Sequence, residues 1–162
     1  MTTQSALHLI ACFVLCVGGG GFSGSVTGAE VRGWYAQLAR PSWTPPNWVF
    51  PVAWMVLYIM MSFSLWLLWD RAEPSLGRTL AITMFLVQFA LNLAWSPVFF
   101  LAHRPRAAMY IIVAMAIAIA GTIALAWPVD RTAAVLLAPY LVWAAYATTL
   151  NAGIIVLNPS VS

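Results

Sequence analysis

The polar positions of this chain are bunched. Its seven arginines and four carboxylates fall into four short clusters: Glu30, Arg32 and Arg40; Asp70, Arg71, Glu73 and Arg78; Arg104 and Arg106; Asp130 and Arg131. Between the clusters run uncharged stretches of about the 20 residues that cross a bilayer's hydrocarbon core. This pattern predicts an all-α integral membrane bundle of five transmembrane helices in one domain, residues 1–162, with helices near 5–26, 46–69, 76–101, 105–127 and 132–157. The connectors are short except the first, about 27–45, which is long enough to fold over the mouth of the bundle as a lid.

Within the spans the neutral polar and aromatic residues recur at helical spacing. Gln88, Asn92, Trp95, Ser96 and Phe99 share one stripe of the third helix; Tyr140, Trp143, Ala147 and Asn151 share one on the fifth; Trp54, Tyr58 and Met61 share one on the second. Two readings fit these stripes. Amides in membrane helices often bond helix to helix, and tryptophans near span ends often mark the interface, as expected for Trp48, Trp66, Trp69 and Trp127. Alternatively the three faces converge on a cavity whose rings would stack on a flat apolar ligand and whose amides would orient it.

Composition sharpens the picture by exclusion. The chain is 63% hydrophobic and 7% charged, with a mean hydropathy of +0.90, far from the charge content of soluble domains. No Asp, Glu, Lys or Arg is expected at mid-depth, which argues against ion-coupled transport and voltage sensing. The net charge of +3 comes from scattered arginines, so nucleic acid is not an expected partner and lipid headgroups are. Read as a cleaved signal, the first span would lack a basic n-region, so it is taken as a helix. His8, Cys12 and Cys16 form a row on that helix, but with no fourth ligand they are read as a packing face, and no metal is expected. Arg32, Arg40, Arg104 and Arg106 against Arg71, Arg78 and Arg131 places the lid and C-terminus on the cytoplasmic side. The absence of Lys and the Ala and Arg bias point to a bacterial cell membrane.

Small residues form two further patterns. Gly20, Gly24 and Gly28 make overlapping GxxxG spacings on the first helix, and Ala114, Ala118 and Gly121 a small face on the fourth, either of which lets helices approach closely within the chain or between two copies. The segment RPSWTPPNWVFPVAW, residues 40–54, concentrates prolines and tryptophans between two spans. Its prolines are expected to stiffen the lid, with Pro45 and Pro46 opening the second helix and Pro51 tolerated near its first turn.

The blocks GWYAQLARPSWTPPNWVFPVAWMVLY (33–58), QFALNLAWSPVFF (88–100) and PYLVWAAYATTLN (139–151) resemble the signature blocks of the TspO/MBR family, in order and spacing over nearly the whole chain. The resemblance implies a five-helix bundle, a homodimer, and a cavity beneath the first loop that takes porphyrins of the protoporphyrin IX type and other small hydrophobic ligands. Carried over to this chain, it places Trp54, Asn92, Trp95, Trp143 and Ala147 on the cavity wall and Trp34, Tyr35 and Pro41 in the cover. No cofactor is required; porphyrin is the ligand. Arg32 and Arg40 are candidates to meet its carboxylates. The implied role is a tetrapyrrole sensor, regulator or carrier. Its competitor is light-dependent oxidative porphyrin breakdown, with Trp54 and Trp143 as the only catalytic candidates, and a bland third is a structural subunit of a larger complex. Two departures matter. Leu93 stands where many relatives carry a second tryptophan, and Ala152 follows Asn151 with no basic residue after it, so the sterol-recognition pattern of animal relatives is missing.

Overall fold

A computed structural model describes residues 2–161. Five helices long and apolar enough to cross a membrane follow one another with short connectors: α1 (Thr3–Arg32), α2 (Val49–Arg71), α3 (Leu76–Leu101), α4 (Pro105–Ala126) and α5 (Arg131–Leu157). Local chemistry sets their starts. The side chains of Thr2, Ser75 and Asp130 accept from the backbone N–H groups of Ser5, Arg78 and Ala133, which α1, α3 and α5 would otherwise leave unpaired. α4 opens on Pro105, where a missing donor costs least.

Two expected boundaries are corrected. α1 continues to Arg32 instead of ending near residue 26, because Gly24 to Arg32 keeps helical backbone and contains no proline to stop it. The cover therefore spans 33–48, with a short 3-10 turn at Tyr35–Gln37 and hydrogen-bonded turns from Pro41 to Thr44 and from Pro46 to Val49. α2 begins at Val49, so Pro45 and Pro46 lie before it, in the cover; a proline forces the residue ahead of it out of helical backbone, and here two stand in succession. Pro51 sits in the first turn, where its N–H would have no intrahelical acceptor.

A wide, π-type turn interrupts α1 at Val14–Gly18, and turns of the same kind end α2 at Leu67–Arg71 and α3 at Pro97–Leu101. The last begins at a proline, which cannot donate to the turn before it. α5 is broken at Leu137, two residues ahead of Pro139. Small residues permit the closest packing. Ala81, Ala126, Ala133 and Ala134 are wholly buried where the bundle narrows away from the cover. Ala118 is buried on α4 and Gly121 faces Met84 of α3, so most of the α4 small face serves α3 within the chain; Ala114 is exposed.

α1 is pinned at both ends, each time by a histidine that is paired with a carboxylate and stacked on an indole. At its start His8 Nδ1 lies 2.7 Å from Asp70 at the end of α2, the Ser5 hydroxyl donates to the other Asp70 oxygen, and the imidazole stacks on Trp69 at 4.9 Å and 12°. At its end Glu30 lies 3.3 Å from His103 Nε2 in the α3–α4 connector, and that imidazole stacks on Trp34 at 4.3 Å and 17°. His103 adopts a left-handed backbone, φ 52°, which turns the chain sharply before α4.

The cover is fastened to α5. The Asn158 amide brackets Ala39, donating to its carbonyl at 2.9 Å and accepting from its N–H at 3.0 Å; Tyr146 donates to the Trp43 carbonyl at 2.8 Å; and Pro41 sits flush on Gly153, in the space a Cβ would fill. Gly153→Leu should lift the cover, costing about 1–3 kcal/mol as overpacking does. Chymotrypsin should then cut after Trp43 faster than in the wild type while the helices stay protected, a difference readable by mass spectrometry of protein in nanodiscs.

Candidate functional site

Under the cover, the faces of α1, α2, α3 and α5 enclose a cavity of about 640 Å3 with Ile112 and Met115 of α4 at its back. That volume lies in the range of small-molecule sites, roughly 300–1,000 Å3. Its walls are overwhelmingly apolar and aromatic. Trp54 stacks on Tyr58 (5.4 Å, 25°) and meets Trp143 edge to face (6.4 Å, 84°), while Trp95 stacks on Phe99 (5.0 Å, 21°). Toward the bilayer the wall is incomplete: Gly21, Gly24, Gly28 and Arg32 of α1 and Pro51 and Met55 of α2 line the cavity and are themselves exposed, so a slot opens between these two helices.

The floor is a closed hydrogen-bond network. Asn92, 4% exposed, accepts from the Tyr58 hydroxyl (2.8 Å) and donates to the Tyr140 hydroxyl (2.9 Å) and to Met115 Sδ (3.7 Å); Tyr140 donates in turn to Met115 Sδ (3.2 Å). Both N–H donors and one lone pair of the oxygen are taken, so Asn92 holds α2, α3, α4 and α5 together and has no donor left for a ligand. Asn151 does the same higher up, donating to the Pro105 carbonyl (2.9 Å) and accepting from Trp95 Nε1 (3.4 Å). The indole N–H of Trp143 is buried with no acceptor among the described residues.

Of the residues expected from sequence, Tyr35, Trp54, Tyr58, Asn92, Trp95, Trp143, Ala147, Asn151 and Arg32 line this cavity. Five do not. Tyr140 lies wholly buried behind Asn92, which it positions. Gln88 shares the Asn92 stripe but sits a turn below the floor, completely buried, its amide without a hydrogen-bond partner among the described residues. Trp34 is turned outward onto His103 and Phe99, and Pro41 is spent on Gly153. Arg40 lies on the outer face of the cover, in an open groove with Thr44 and Asn47, its guanidinium over the Tyr35 ring (5.7 Å) and donating to Asn47 (3.4 Å). Burial pushes the Tyr35 hydroxyl above the usual phenol range, with Arg40 partly offsetting it. Leu93 packs on Gly19 and is absent from the wall.

Sequence reasoning missed an entire wall. Val17, Gly20, Ser23, Thr27 and Val31 bring α1 to the cavity, and the signal was the glycine spacing, read as helix packing alone. Of those glycines only Gly20 has that use, its Cα lying against the Tyr58 ring; a Cβ at Gly24 or Gly28 would meet nothing within 4 Å.

A model of the TspO/MBR family matches residues 12–157. Protein CrtK of Rhodobacter capsulatus is 38% identical over 97% of this chain and 94% of its own length. Tryptophan-rich protein TspO of Chlorobaculum tepidum is 38% identical over 96% and 99%, and the human translocator protein 38% over 86% and 83%.

The floor network makes a quantitative expectation. Asn92→Leu strands the buried Tyr58 hydroxyl and takes the amide donor from Tyr140, and should destabilise the bundle by about 2–4 kcal/mol, whereas Tyr140→Phe, which leaves Asn92 bonded to Tyr58, should cost about 1 kcal/mol. Thermal unfolding in detergent, followed by fluorescence, measures both.

Proposed function

The chain belongs to the TspO/MBR family, and we propose that it binds porphyrins of the protoporphyrin IX type, and other flat hydrophobic ligands, in the cavity beneath its cover. The observation that carries this reading is the match of chemistry to shape. Three cavity tryptophans, Trp54, Trp95 and Trp143, supply ring faces, the polar groups of the floor are internally satisfied, and one charged group stands at the mouth. That group is Arg32, which has no ion-pair partner among the described residues and lies on the slot edge of α1. A flat ring system enters the apolar interior while its carboxylates stay at the mouth against Arg32, as a charge-assisted pair. In this role the protein is a membrane tetrapyrrole sensor, regulator or carrier, acting as a homodimer in a bacterial cell membrane; the dimer rests on the family resemblance.

A second reading has its own observation. The indoles of Trp54 and Trp143 meet edge to face on the cavity wall, where an excited ligand would touch both. On that reading the porphyrin is degraded by light and oxygen, the ligand supplying the chemistry and the protein its position and its separation from water.

Two measurements test these readings. Titration of reconstituted protein with protoporphyrin IX in darkness should quench tryptophan emission saturably. Arg32→Gln should weaken this ligand about tenfold while leaving its dimethyl ester unchanged, and Arg40→Gln should alter neither, since Arg40 faces away from the cavity. Equal loss for acid and ester would remove the Arg32 pairing. Under illumination, Trp54→Phe with Trp143→Phe should keep most affinity; abolition of light-dependent loss of the Soret band would establish the second reading, and its persistence would reject the tryptophans' part in it.

A further inference from the structure

Six of the ten glycines in the chain lie in α1: Gly18, Gly19, Gly20, Gly21, Gly24 and Gly28. Each costs a helix about 0.5–1 kcal/mol relative to alanine. None of the described glycines has a positive φ, so none is retained for a backbone conformation that other residues avoid. Close approach accounts for two of the six: a Cβ on Gly19 would stand 2.9 Å from the Phe89 ring, and one on Gly20 would collide with Tyr58. For Gly18, Gly21, Gly24 and Gly28 nothing lies within 4 Å of the added carbon. Packing does not require them to be glycine. Gly21, Gly24 and Gly28 line the cavity, on the exposed edge of α1 that faces the slot toward α2.

We infer that Gly21, Gly24 and Gly28 are specificity-determining residues, a size filter that holds the α1–α2 slot open for a broad, flat, ring-fused ligand. The inference rests on the binding function proposed above and names which residues set the breadth of what is bound. The filter works because α1 cannot step back to make room. Its start is held by His8 and Ser5 on Asp70, its end by Glu30 on His103, and its middle is seated on Phe89 and Tyr58 at Gly19 and Gly20. With the helix axis fixed at three levels, the width left for a ligand depends on side-chain length at the slot edge. Bare Cα atoms give the greatest width. A branched side chain at Gly24 or Gly28 would project into free volume, without a clash to unfold the protein, and would occupy space that a macrocycle needs. A ligand of two fused rings would still pass.

The test compares Gly24→Leu and Gly28→Leu with wild type in nanodiscs, using protoporphyrin IX as the broad probe and an unsubstituted isoquinoline carboxamide as the narrow one. Leucine is a better helix former than glycine, so folding is not at risk; circular dichroism and size exclusion verify it. Protoporphyrin affinity should fall by about tenfold or more and isoquinoline affinity by less than about threefold, with Gly24→Ala between wild type and leucine. Gly18→Leu, on the same edge of α1 but outside the cavity lining, should change neither. Unchanged porphyrin affinity, or equal loss of both probes, overturns the filter. If wild type binds the isoquinoline but not protoporphyrin, the porphyrin reading fails and the filter is decided by isoquinolines of increasing substituent size: a loss in Gly24→Leu that grows with size supports it, a size-independent loss overturns it.

Discussion

The Asn92 amide, buried where four helices meet, is the contact on which the rest of this bundle leans. In an interior without water an amide that lacks partners is costly, and the cost is avoided only if Tyr58, Tyr140 and Met115 arrive together from three other helices. Hydrophobic burial cannot enforce such an arrangement in a bilayer, because lipid tails solvate leucine as well as protein does. Directional bonding can. By setting the depth and rotation of α2, α3 and α5 relative to one another, the network decides that Trp54, Trp95 and Trp143 face a common volume and do not merely line three separate interfaces.

α1 stands apart from that arrangement. It contributes no member to the Asn92 network and meets the bundle through clasps at its ends, the buried Cys12 and Cys16 with Phe13 on Phe63 in its first half, and two glycine contacts in its middle. Each clasp sandwiches a histidine between a carboxylate and an indole, which restrains the ring in orientation as well as distance. The result is a wall held at a fixed stand-off, and the space behind it is the cavity. The cover completes the enclosure through α5, by Asn158, Tyr146 and Gly153, and meets the end of α1 at His103, on which its Trp34 stacks. The prolines of RPSWTPP contribute stiffness along the path between those attachments and need few hydrogen bonds of their own.

Much of this was readable in the residues. Charge clusters located the five spans, since charge in hydrocarbon is expensive enough to confine it to the connectors. Helical spacing put Trp54, Asn92, Trp95 and Trp143 on the right faces. The same spacing also swept in Gln88 and Tyr140, because periodicity assigns a residue to a face and says nothing of how far along that face the cavity extends. Arg40 and Arg32 look alike in sequence, both basic and both beside the cover; only the path of the cover turns one outward onto Tyr35 and leaves the other at the slot.

The family, the number of spans, and the aromatic and amide character of three inward faces are legible in the residues alone. These follow from the hydrophobic pattern and the helical repeat, which act within one segment at a time. Only the packing of the helices makes Asn92 and Asn151 bond to groups on neighbouring helices, ties the cover to α5, and sets the open glycines of α1 as the fourth wall. Those outcomes depend on where one helix stands relative to another. A glycine is the limiting case: having no side chain, it leaves no mark in the sequence of whether its missing atoms make room for a neighbouring helix, as at Gly20, or for a ligand, as at Gly24 and Gly28.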